Sequence, residues 1–419
     1  MNNFIFKFIL VFSIFVFCFN LYSFADDIEQ DEDNNFKLIN SEITSETSTN
    51  VDPLSTINSR AYVVIDRNTH MVLCGKNENE TRKMASTTKI MTATVVLENT
   101  NLNDIVTVSK KAAGTGGSRL GLKTNDKVSV LDLLYGLLLC SGNDAAVALA
   151  EFTCGSIEEF SKLMNEKAKT LGLTNTNFVT PHGLDSSEHY TTAYELAVLT
   201  CYALQNDTFL KIVGTKNYTI TINGYPKSIN NTNELLGNLD GVYGVKTGFT
   251  NGANRCLVTS CKRGDLDIIC VVLGADTKNF RTKDSIKLIN YAFSNFSIVN
   301  VKDIIYDEFE FWKLKNLSNI NVNKASCTQI SLNLSTLKYD YIPVRNNEIS
   351  DLYAYIDCNL FFEAPLNTND VLGKAYLYNG DDIVLECDIV LGNSIPKKGI
   401  FDYFSSFFYD FKTIVSFSI

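Results

Sequence analysis

The spacing of hydrophobic and polar residues changes several times along the chain, and each change predicts a different element. Strand-like runs bounded by turn residues occur at residues 61–65, 71–74, 217–222, 241–246, 255–260 and 267–273. Apolar residues at helical spacing lie between them, at residues 86–98, 131–139, 144–153 and 157–171. Strands on both sides of a helical region predict an α+β fold, with one antiparallel sheet flanked by helices.

The region before this fold and the region after it differ in character. Residues 26–54 are acidic and then rich in Ser, Thr and Asn, which predicts a disordered linker before a first domain at residues 55–298. From Val301 to about Leu391, strand-like alternation dominates. This alternation predicts a small, separate all-β domain at residues 299–395.

The first segment, residues 1–25, has the three parts of a secretory signal peptide. A short start with one Lys precedes an uncharged apolar stretch at residues 8–19, and the small residues Ser23 and Ala25 precede Asp26. The apolar stretch is too short to span a bilayer comfortably. We therefore expect cleavage after Ala25 and export of the protein, with an uncleaved anchor as the alternative.

The last segment, residues 396–419, predicts an amphipathic helix that lies in a membrane surface. Its apolar positions at helical spacing are Ile400, Phe401, Phe404, Phe407, Phe408, Phe411, Ile414 and Val415. Asp410 and Lys412 would each cost about 2.5–3.5 kcal/mol at the centre of a bilayer, which argues against a spanning helix. A helix packed on the β-domain is the alternative.

Composition and charge exclude some classes of function. The chain has 419 residues, of which 45% are hydrophobic, and its formal net charge is −10. A nucleic-acid binder would instead carry a basic face, so no nucleic-acid partner is expected. The 11 Cys residues are spread singly, without a Cys-x-x-Cys pair. The sequence therefore predicts no metal ion and no cofactor.

Three short motifs carry candidate chemistry. Ser86 and Lys89 lie one helical turn apart at a predicted helix start, so a hydroxyl and an amine share one face near the positive end of the helix dipole. The second motif is Ser141-Gly142-Asn143, after an apolar helix, and the third is Lys246-Thr247-Gly248, which ends a strand-like run. A serine hydroxyl is a weak nucleophile that needs a nearby base, and the first motif provides both groups.

The order and setting of the motifs are more specific than any single motif. Taken alone, Ser86 and Lys89 could be a helix cap and a solvated amine, and Ser335 and Lys338 repeat their spacing by chance. The layout is that of active-site serine enzymes that react with penicillin: residues 86–89 at a helix start, residues 141–143 between helices, and Lys-Thr-Gly on a strand. The chain thus resembles the low-molecular-mass penicillin-binding proteins, the serine-type D-alanyl-D-alanine carboxypeptidases. Further matching stretches are residues 117–120, 141–150, 181–185, 189–194, 255–258 and 364–373.

The resemblance implies a penicillin-binding and β-lactamase-like catalytic domain, followed by the small β-domain. It also implies that Ser86 is the nucleophile, that Lys89 is its base, and that Ser141 passes the proton to the leaving amine. Lys89 must be neutral for this role. Lowering its pKa from about 10.4 to near 7 requires about 4–5 kcal/mol, which burial and the second cation Lys246 could supply.

The contacts with substrate are implied in the same way. Asn143 would bond the substrate amide, Lys246 and Thr247 would receive the terminal carboxylate, and Gly248 would let the substrate lie close to the strand. Arg281 resembles a family position that helps to bind the carboxylate.

The oxyanion hole, by the same resemblance, would consist of the backbone N–H groups of Ser86 and Phe249. The family often has His at the position of Phe249. Any role of that imidazole is therefore absent here, whereas the backbone N–H is retained.

The expected protein is an exported, membrane-associated serine D,D-carboxypeptidase on the outer face of the cytoplasmic membrane or in the cell wall. It would cleave the peptidoglycan stem pentapeptide through an acyl-enzyme on Ser86, and β-lactams would inhibit it covalently. A serine β-lactamase and a non-catalytic wall-binding or β-lactam-sensing module are the alternatives. His182 and His189 match neither a Ser-His-Asp nor a zinc motif, so we expect them to be structural or to line the cleft.

Overall fold

The computed structural model describes residues 52–327, 329–405 and 408. The chain divides between Ser294 and Asn295 into two compact units. The signal peptide predicted at residues 1–25, nearly all of the linker predicted at 26–54 and most of the helix predicted at 396–419 lie outside the described residues. No described helix has the length and hydropathy that a membrane crossing requires.

The described part of the N-terminal unit forms two sheets. Its strands are β1 (Ala61–Asp66), β2 (Val72–Lys76), β3 (Ile105–Thr107), β4 (Lys127–Ser129), β5 (Asn217–Ile222), β6 (Tyr225–Asn230), β7 (Val242–Thr250), β8 (Asn254–Arg263) and β9 (Leu266–Ala275). The larger sheet is antiparallel, in the order β2-β1-β9-β8-β7, and its central strand β9 is buried throughout. The smaller sheet has the order β3-β4-β5-β6.

Helices accompany these sheets in the same unit. They are α1 (Lys89–Asn99), α2 (Lys110–Ala113), α3 (Val130–Leu138), α4 (Asn143–Cys154), α5 (Ile157–Thr170), α6 (Ala193–Ala203), α7 (Asp207–Val213) and α8 (Lys278–Asn295). The hydroxyls of Ser129, Ser156 and Thr192 cap the starts of α3, α5 and α6 by accepting from backbone N–H groups. Helix α1 is buried from Lys89 to Val96. It therefore carries Lys89 into the interior of the unit.

The C-terminal unit is built mainly of strands. They are β10 (Phe296–Asn300), β11 (Asn321–Asn323), β12 (Leu332–Leu334), β13 (Tyr341–Arg345), β14 (Leu352–Cys358), β15 (Phe361–Glu363), β16 (Val371–Asn379) and β17 (Asp382–Leu391). Four of them form a sheet in the order β12-β17-β16-β14, and the others pair as β10-β13 and β11-β15. The predicted α+β class, with an antiparallel sheet, flanking helices and a following β-domain, is confirmed.

One helix in this unit was not expected from the strand-like alternation after Val301. Helix α9 (Val301–Asn316) begins there, and the side chain of Asn300 caps it. Its buried residues are Val301, Ile305 and Phe309, which are four residues apart and so lie on one helical face. The apolar residues of this stretch therefore follow the helical period, and the helix packs on β14 and β16.

Candidate active site

Ser86 lies on a 3₁₀ turn, Ala85–Thr88, that leads directly into α1. Ala85 has a φ of +49°, a left-handed conformation that is costly for a residue with a side chain. The Thr88 hydroxyl donates to the Ala85 carbonyl oxygen at 2.7 Å and closes the turn. Ser86 itself is 4% exposed. The nucleophile candidate is thus held by a constrained backbone and is largely shielded from water.

The amine of Lys89 is fully buried among oxygen atoms. Its Nζ lies 2.7 Å from Ser86 Oγ, 2.7 Å from Asn143 Oδ1 and 2.9 Å from the carbonyl oxygen of His182. A charged ammonium can donate to all three oxygens. A neutral amine can donate to the amide and the carbonyl and accept a hydrogen bond from the Ser86 hydroxyl. The second arrangement is the one that a general base needs, and the site accommodates it without rearrangement.

The second motif lies in the turn between α3 and α4. Ser141 has a φ of +62° and is nearly buried. Asn143 is the first residue of α4, and its backbone N–H donates to the Ser118 carbonyl oxygen at 2.8 Å. Its Nδ2 donates to the Gly116 carbonyl oxygen at 2.9 Å, which leaves Oδ1 directed at Lys89. The amide of Asn143 therefore orients the candidate base Lys89.

The third motif lies within β7 and not at the end of a strand, because β7 continues to Thr250. Lys246 is 1% exposed, and its Nζ donates to the carbonyl oxygen of Thr247 at 2.9 Å. A Cβ atom at Gly248 would lie 3.2 Å from the backbone nitrogen of Ser86. Glycine thus permits β7 to pass directly beside the turn that carries Ser86.

Comparison with known proteins identifies the family. Residues 45–277 match the peptidase S11 family, D-alanyl-D-alanine carboxypeptidase. The D-alanyl-D-alanine carboxypeptidase DacF of Bacillus subtilis is 33% identical, over 82% of this chain and 88% of the relative. DacC of Escherichia coli is 36% identical, over 82% of this chain and 86% of the relative. The chain belongs to the peptidase S11 family.

Solved structures agree with this membership. The D-alanyl-D-alanine carboxypeptidase DacD of Francisella tularensis is 28% identical with a TM-score of 0.67, covering 84% of this chain and 95% of that one. Penicillin-binding protein 5 of Haemophilus influenzae is 28% identical with a TM-score of 0.66, covering 82% and 98%. This S11 peptidase is a serine-type D-alanyl-D-alanine carboxypeptidase of the penicillin-binding-protein type. The resemblance and the activity predicted from the sequence are confirmed. The comparisons favour a carboxypeptidase over a serine β-lactamase and over a non-catalytic wall-binding or β-lactam-sensing module.

Phe249 follows Lys-Thr-Gly in this S11 peptidase and contacts Arg255 on the neighbouring strand. The two residues are directly opposite in the β7–β8 ladder, and the guanidinium carbon lies 3.9 Å from the centroid of the Phe249 ring. Asp185 holds the adjoining turn, since it accepts from the Thr250 hydroxyl at 2.8 Å and from the Gly252 N–H at 2.7 Å. These contacts fix the end of β7 in a chain that has no imidazole there.

Arg281, predicted to bind the substrate carboxylate, is fully buried in α8. Its Nη2 lies 2.5 Å from Oε1 of Glu234, and the Thr282 hydroxyl donates to the same oxygen. Burial alone would raise the pKa of Glu234, but the charge of Arg281 and these hydrogen bonds outweigh it and hold the pKa below its usual value. The sequence did not predict this ion pair, because Glu234 belongs to no recognisable motif.

His182 and His189 are buried and neutral. Burial is the main cause that lowers the pKa of His182 to about 3 and that of His189 to about 4. His189 Nδ1 accepts from the Val179 N–H at 3.1 Å, and its Nε2 lies 2.7 Å from Thr88 Oγ1. Since the Thr88 hydroxyl donates to Ala85, His189 Nε2–H must donate to Thr88. His189 therefore supports the turn that carries Ser86.

Two supporting residues were missed by sequence reasoning. Gly183 has a φ of +90°, and a Cβ there would overlap the carbonyl oxygen of Ala85. The sequence at 181–185 matches the family, but the requirement for glycine at position 183 is visible only in the fold. Thr232, whose hydroxyl contacts Thr247, carries no sequence signal at all. Among the described residues, no group of three or more His, Cys, Asp or Glu side chains is arranged to hold a metal ion.

Proposed function

We propose that this enzyme removes the terminal D-alanine from the peptidoglycan stem pentapeptide through an acyl-enzyme on Ser86. Ser86 Oγ attacks the carbonyl carbon of the D-Ala–D-Ala bond while Lys89 Nζ accepts the hydroxyl proton. The C–N bond then breaks, and the leaving amine takes up a proton by way of Ser141. Water later hydrolyses the ester and regenerates the Ser86 hydroxyl, which releases the shortened peptide.

The observation that carries this proposal is the 2.7 Å separation between Lys89 Nζ and Ser86 Oγ in a buried site. The amide oxygen of Asn143 and the carbonyl oxygen of His182 accept hydrogen bonds from the same amine. Together they hold the amine with its lone pair available to the hydroxyl, so activation of Ser86 requires no further base.

The substrate would lie along β7, with its peptide N–H or C=O bonded to Asn143 and its carboxylate at Lys246 and Thr247. The backbone N–H groups of Ser86 and Phe249 would stabilise the oxyanion, each contributing about 2.7–4 kcal/mol. The close approach of Gly248 to Ser86 supports this placement. A penicillin carboxylate and lactam carbonyl would occupy the same positions, which makes β-lactams covalent inhibitors.

Arg281 stays a predicted ligand of the carboxylate. Its pairing with Glu234 means that a substrate would share a cation that is already partly neutralised. We therefore expect Lys246 and Thr247 to contribute more to carboxylate binding than Arg281.

The proposal is tested by intact mass after reaction with penicillin, digestion to locate the adduct, and release of D-alanine from a Lys-D-Ala-D-Ala peptide. We expect one adduct per chain, on the peptide that contains Ser86. Ser86→Ala should abolish adduct and D-alanine release, whereas Ser335→Ala, in the chance repeat of the spacing, should retain both. A labelled Ser86→Ala protein would reject the nucleophile assignment.

Export and membrane attachment form a separate part of the proposal. Residues 1–25 would direct export, and residues 26–54 would form the linker. Residues 55–298 and 299–395 would be the two domains. The division of the chain between Ser294 and Asn295 lies near the boundary between these two domains and supports it. The enzyme would work on the outer face of the cytoplasmic membrane or in the cell wall.

The tail at residues 396–419 would attach the enzyme to the membrane. Residues 400–405 are helical, and Ile400, Phe401 and Phe404 are exposed there, which supports a membrane-surface helix. Truncation after Pro396 should abolish flotation with liposomes and leave peptidase activity intact. A Phe404→Asp variant should also float less, and Phe361→Asp, at an exposed position outside the tail, is the control. Equal flotation of full-length and truncated protein would contradict the attachment.

A further inference from the structure

Thr232 lies between two of the three active-site motifs. Its backbone N–H donates to the carbonyl oxygen of Leu139 at 3.0 Å, two residues before Ser141. Its hydroxyl oxygen lies 2.7 Å from the hydroxyl oxygen of Thr247. Thr232 is partly exposed, whereas the four residues that follow it are buried. Thr232 therefore lies directly before an enclosed run of residues.

The segment at residues 231–236 is anchored on both sides of Thr232. Before it, Asn231 Nδ2 donates to the carbonyl oxygens of Val213 at 3.2 Å and Thr215 at 3.1 Å. After it, the buried carboxylate of Glu234 pairs with Arg281. The backbone at Thr232 is therefore held by its neighbours on both sides, in a position where its hydroxyl lies beside that of Thr247.

The direction of the hydrogen bond between the two threonines follows from the chemistry of a carboxylate. A carboxylate only accepts hydrogen bonds, and a threonine hydroxyl has one hydrogen to donate. If Thr247 donates to a bound carboxylate, its oxygen presents only lone pairs to Thr232. Thr232 must then donate to Thr247, and a hydroxyl that accepts a hydrogen bond is polarised into a better donor.

We propose that Thr232 is a positioning residue of the carboxylate subsite, which aims the Thr247 hydroxyl at the terminal carboxylate of the substrate. Thr232 would thereby raise the preference of the enzyme for a free C-terminal carboxylate over an amidated end. This inference rests on the carboxylate-binding role proposed above for Lys246 and Thr247. It also gives the buried Glu234–Arg281 pair a function, because that pair anchors the segment that carries Thr232.

The test compares two substitutions on two substrates. Thr232→Val removes the hydroxyl with little change in shape, and Thr232→Ser retains a hydroxyl. For each variant, kcat and KM are measured on an acylated Lys-D-Ala-D-Ala peptide and on its C-terminal carboxamide. Thr219→Val is the matched control, since it removes a hydroxyl that lies 3.4 Å from Ser228 Oγ on an exposed hairpin.

We expect Thr232→Val to raise KM for the free acid about 3- to 10-fold, with kcat and the carboxamide reaction unchanged, because one hydrogen bond is lost from carboxylate binding. Thr232→Ser should stay within about twofold of wild type, since it restores that hydrogen bond. An unchanged KM in the Val variant would overturn the inference. So would an equal loss on acid and carboxamide, or an equal loss in the Val and Ser variants, since a purely structural role produces both.

Two further variants in the same assay separate this inference from the proposed function. If Ser86→Ala still released D-alanine, the proposed acyl-enzyme would fail, whatever Thr232 does. If Lys246→Ala affected acid and carboxamide equally, Lys246 would act mainly in proton transfer, and the carboxylate-binding role proposed for it would fail whatever Thr232 does.

Discussion

Replacing Asn143 with Asp places a carboxylate oxygen where the amide oxygen now lies, 2.7 Å from Lys89 Nζ. The amide accepts a hydrogen bond from this amine without favouring its charged form strongly. A carboxylate at the same position favours the ammonium, which has no lone pair and cannot accept the Ser86 proton. We therefore expect Asn143→Asp to slow acylation by protonating the base.

The size of the effect follows from that distance. Two unit charges 2.7 Å apart interact by about 6 kcal/mol at an effective dielectric constant of about 20. Both groups are fully buried, so desolvation of the new carboxylate opposes much of this attraction. Neighbouring opposite charges typically shift a pKa by about 1–3 units, which predicts acylation about 10- to 1000-fold slower at neutral pH.

The assay is the rate of acylation by a fluorescent penicillin as a function of pH. In Asn143→Asp, the rate should recover as the pH rises, with the profile displaced upward by about 1–3 units. Asn143→Ala is the matched control, because it removes the acceptor without adding charge and should lower the rate with a smaller displacement. If the profiles of the two variants superimposed, Lys89 would not be the base whose protonation limits acylation.

Three other substitutions have defined outcomes. His189→Asn should make the free energy of unfolding less dependent on pH, by about 1.4 kcal/mol per pH unit between about pH 6.5 and 4. In this range the imidazole of unfolded wild type binds a proton, whereas in the folded state, with a pKa of about 4, it does not. Urea titrations at several pH values would measure this, and equal pH dependence of the unfolding free energy in wild type and variant would contradict it. Gly183→Ala should slow acylation at least about tenfold by displacing Ala85, whereas Gly155→Ala, at a similar positive φ with open space around it, should cost only about 1 kcal/mol of stability. Lys246→Ala should raise KM for a peptide with a free carboxylate more than for its carboxamide, and equal losses would assign Lys246 to proton transfer.

The helices and strands that the sequence predicted well have hydrophobic residues at one regular spacing over their whole length. The strand at residues 217–222 and the helix near 131–139 have such patterns, and the structure has both. Helix α9 was missed because its buried residues are spaced four apart within a stretch that also alternates. The spacing of hydrophobic residues alone does not determine whether such a stretch forms a helix or a strand. Its packing on β14 and β16 does.

The sequence predicted those residues of the candidate site that belong to the three short motifs. Ser86, Lys89 and Asn143 belong to short patterns, and the fold brings their side chains into contact. Thr232 and Glu234 belong to none, because their contacts join segments that are remote in the sequence. A single Thr or Glu in a loop has no pattern to distinguish it from a solvated residue. Its contribution is visible only when the partner strand or helix is in place.

The position of Lys89 links catalysis to folding of the whole N-terminal unit. An amine that must lose its proton needs a buried site, yet a buried amine also needs hydrogen-bond acceptors. Here α1 supplies the burial, and the acceptors come from Asn143 at the start of α4 and from His182 in the loop before α6. Until these segments have docked, Lys89 remains hydrated and charged. The proposed base would therefore be competent only in the folded unit, and substitutions that loosen either segment should reduce acylation before they unfold the protein.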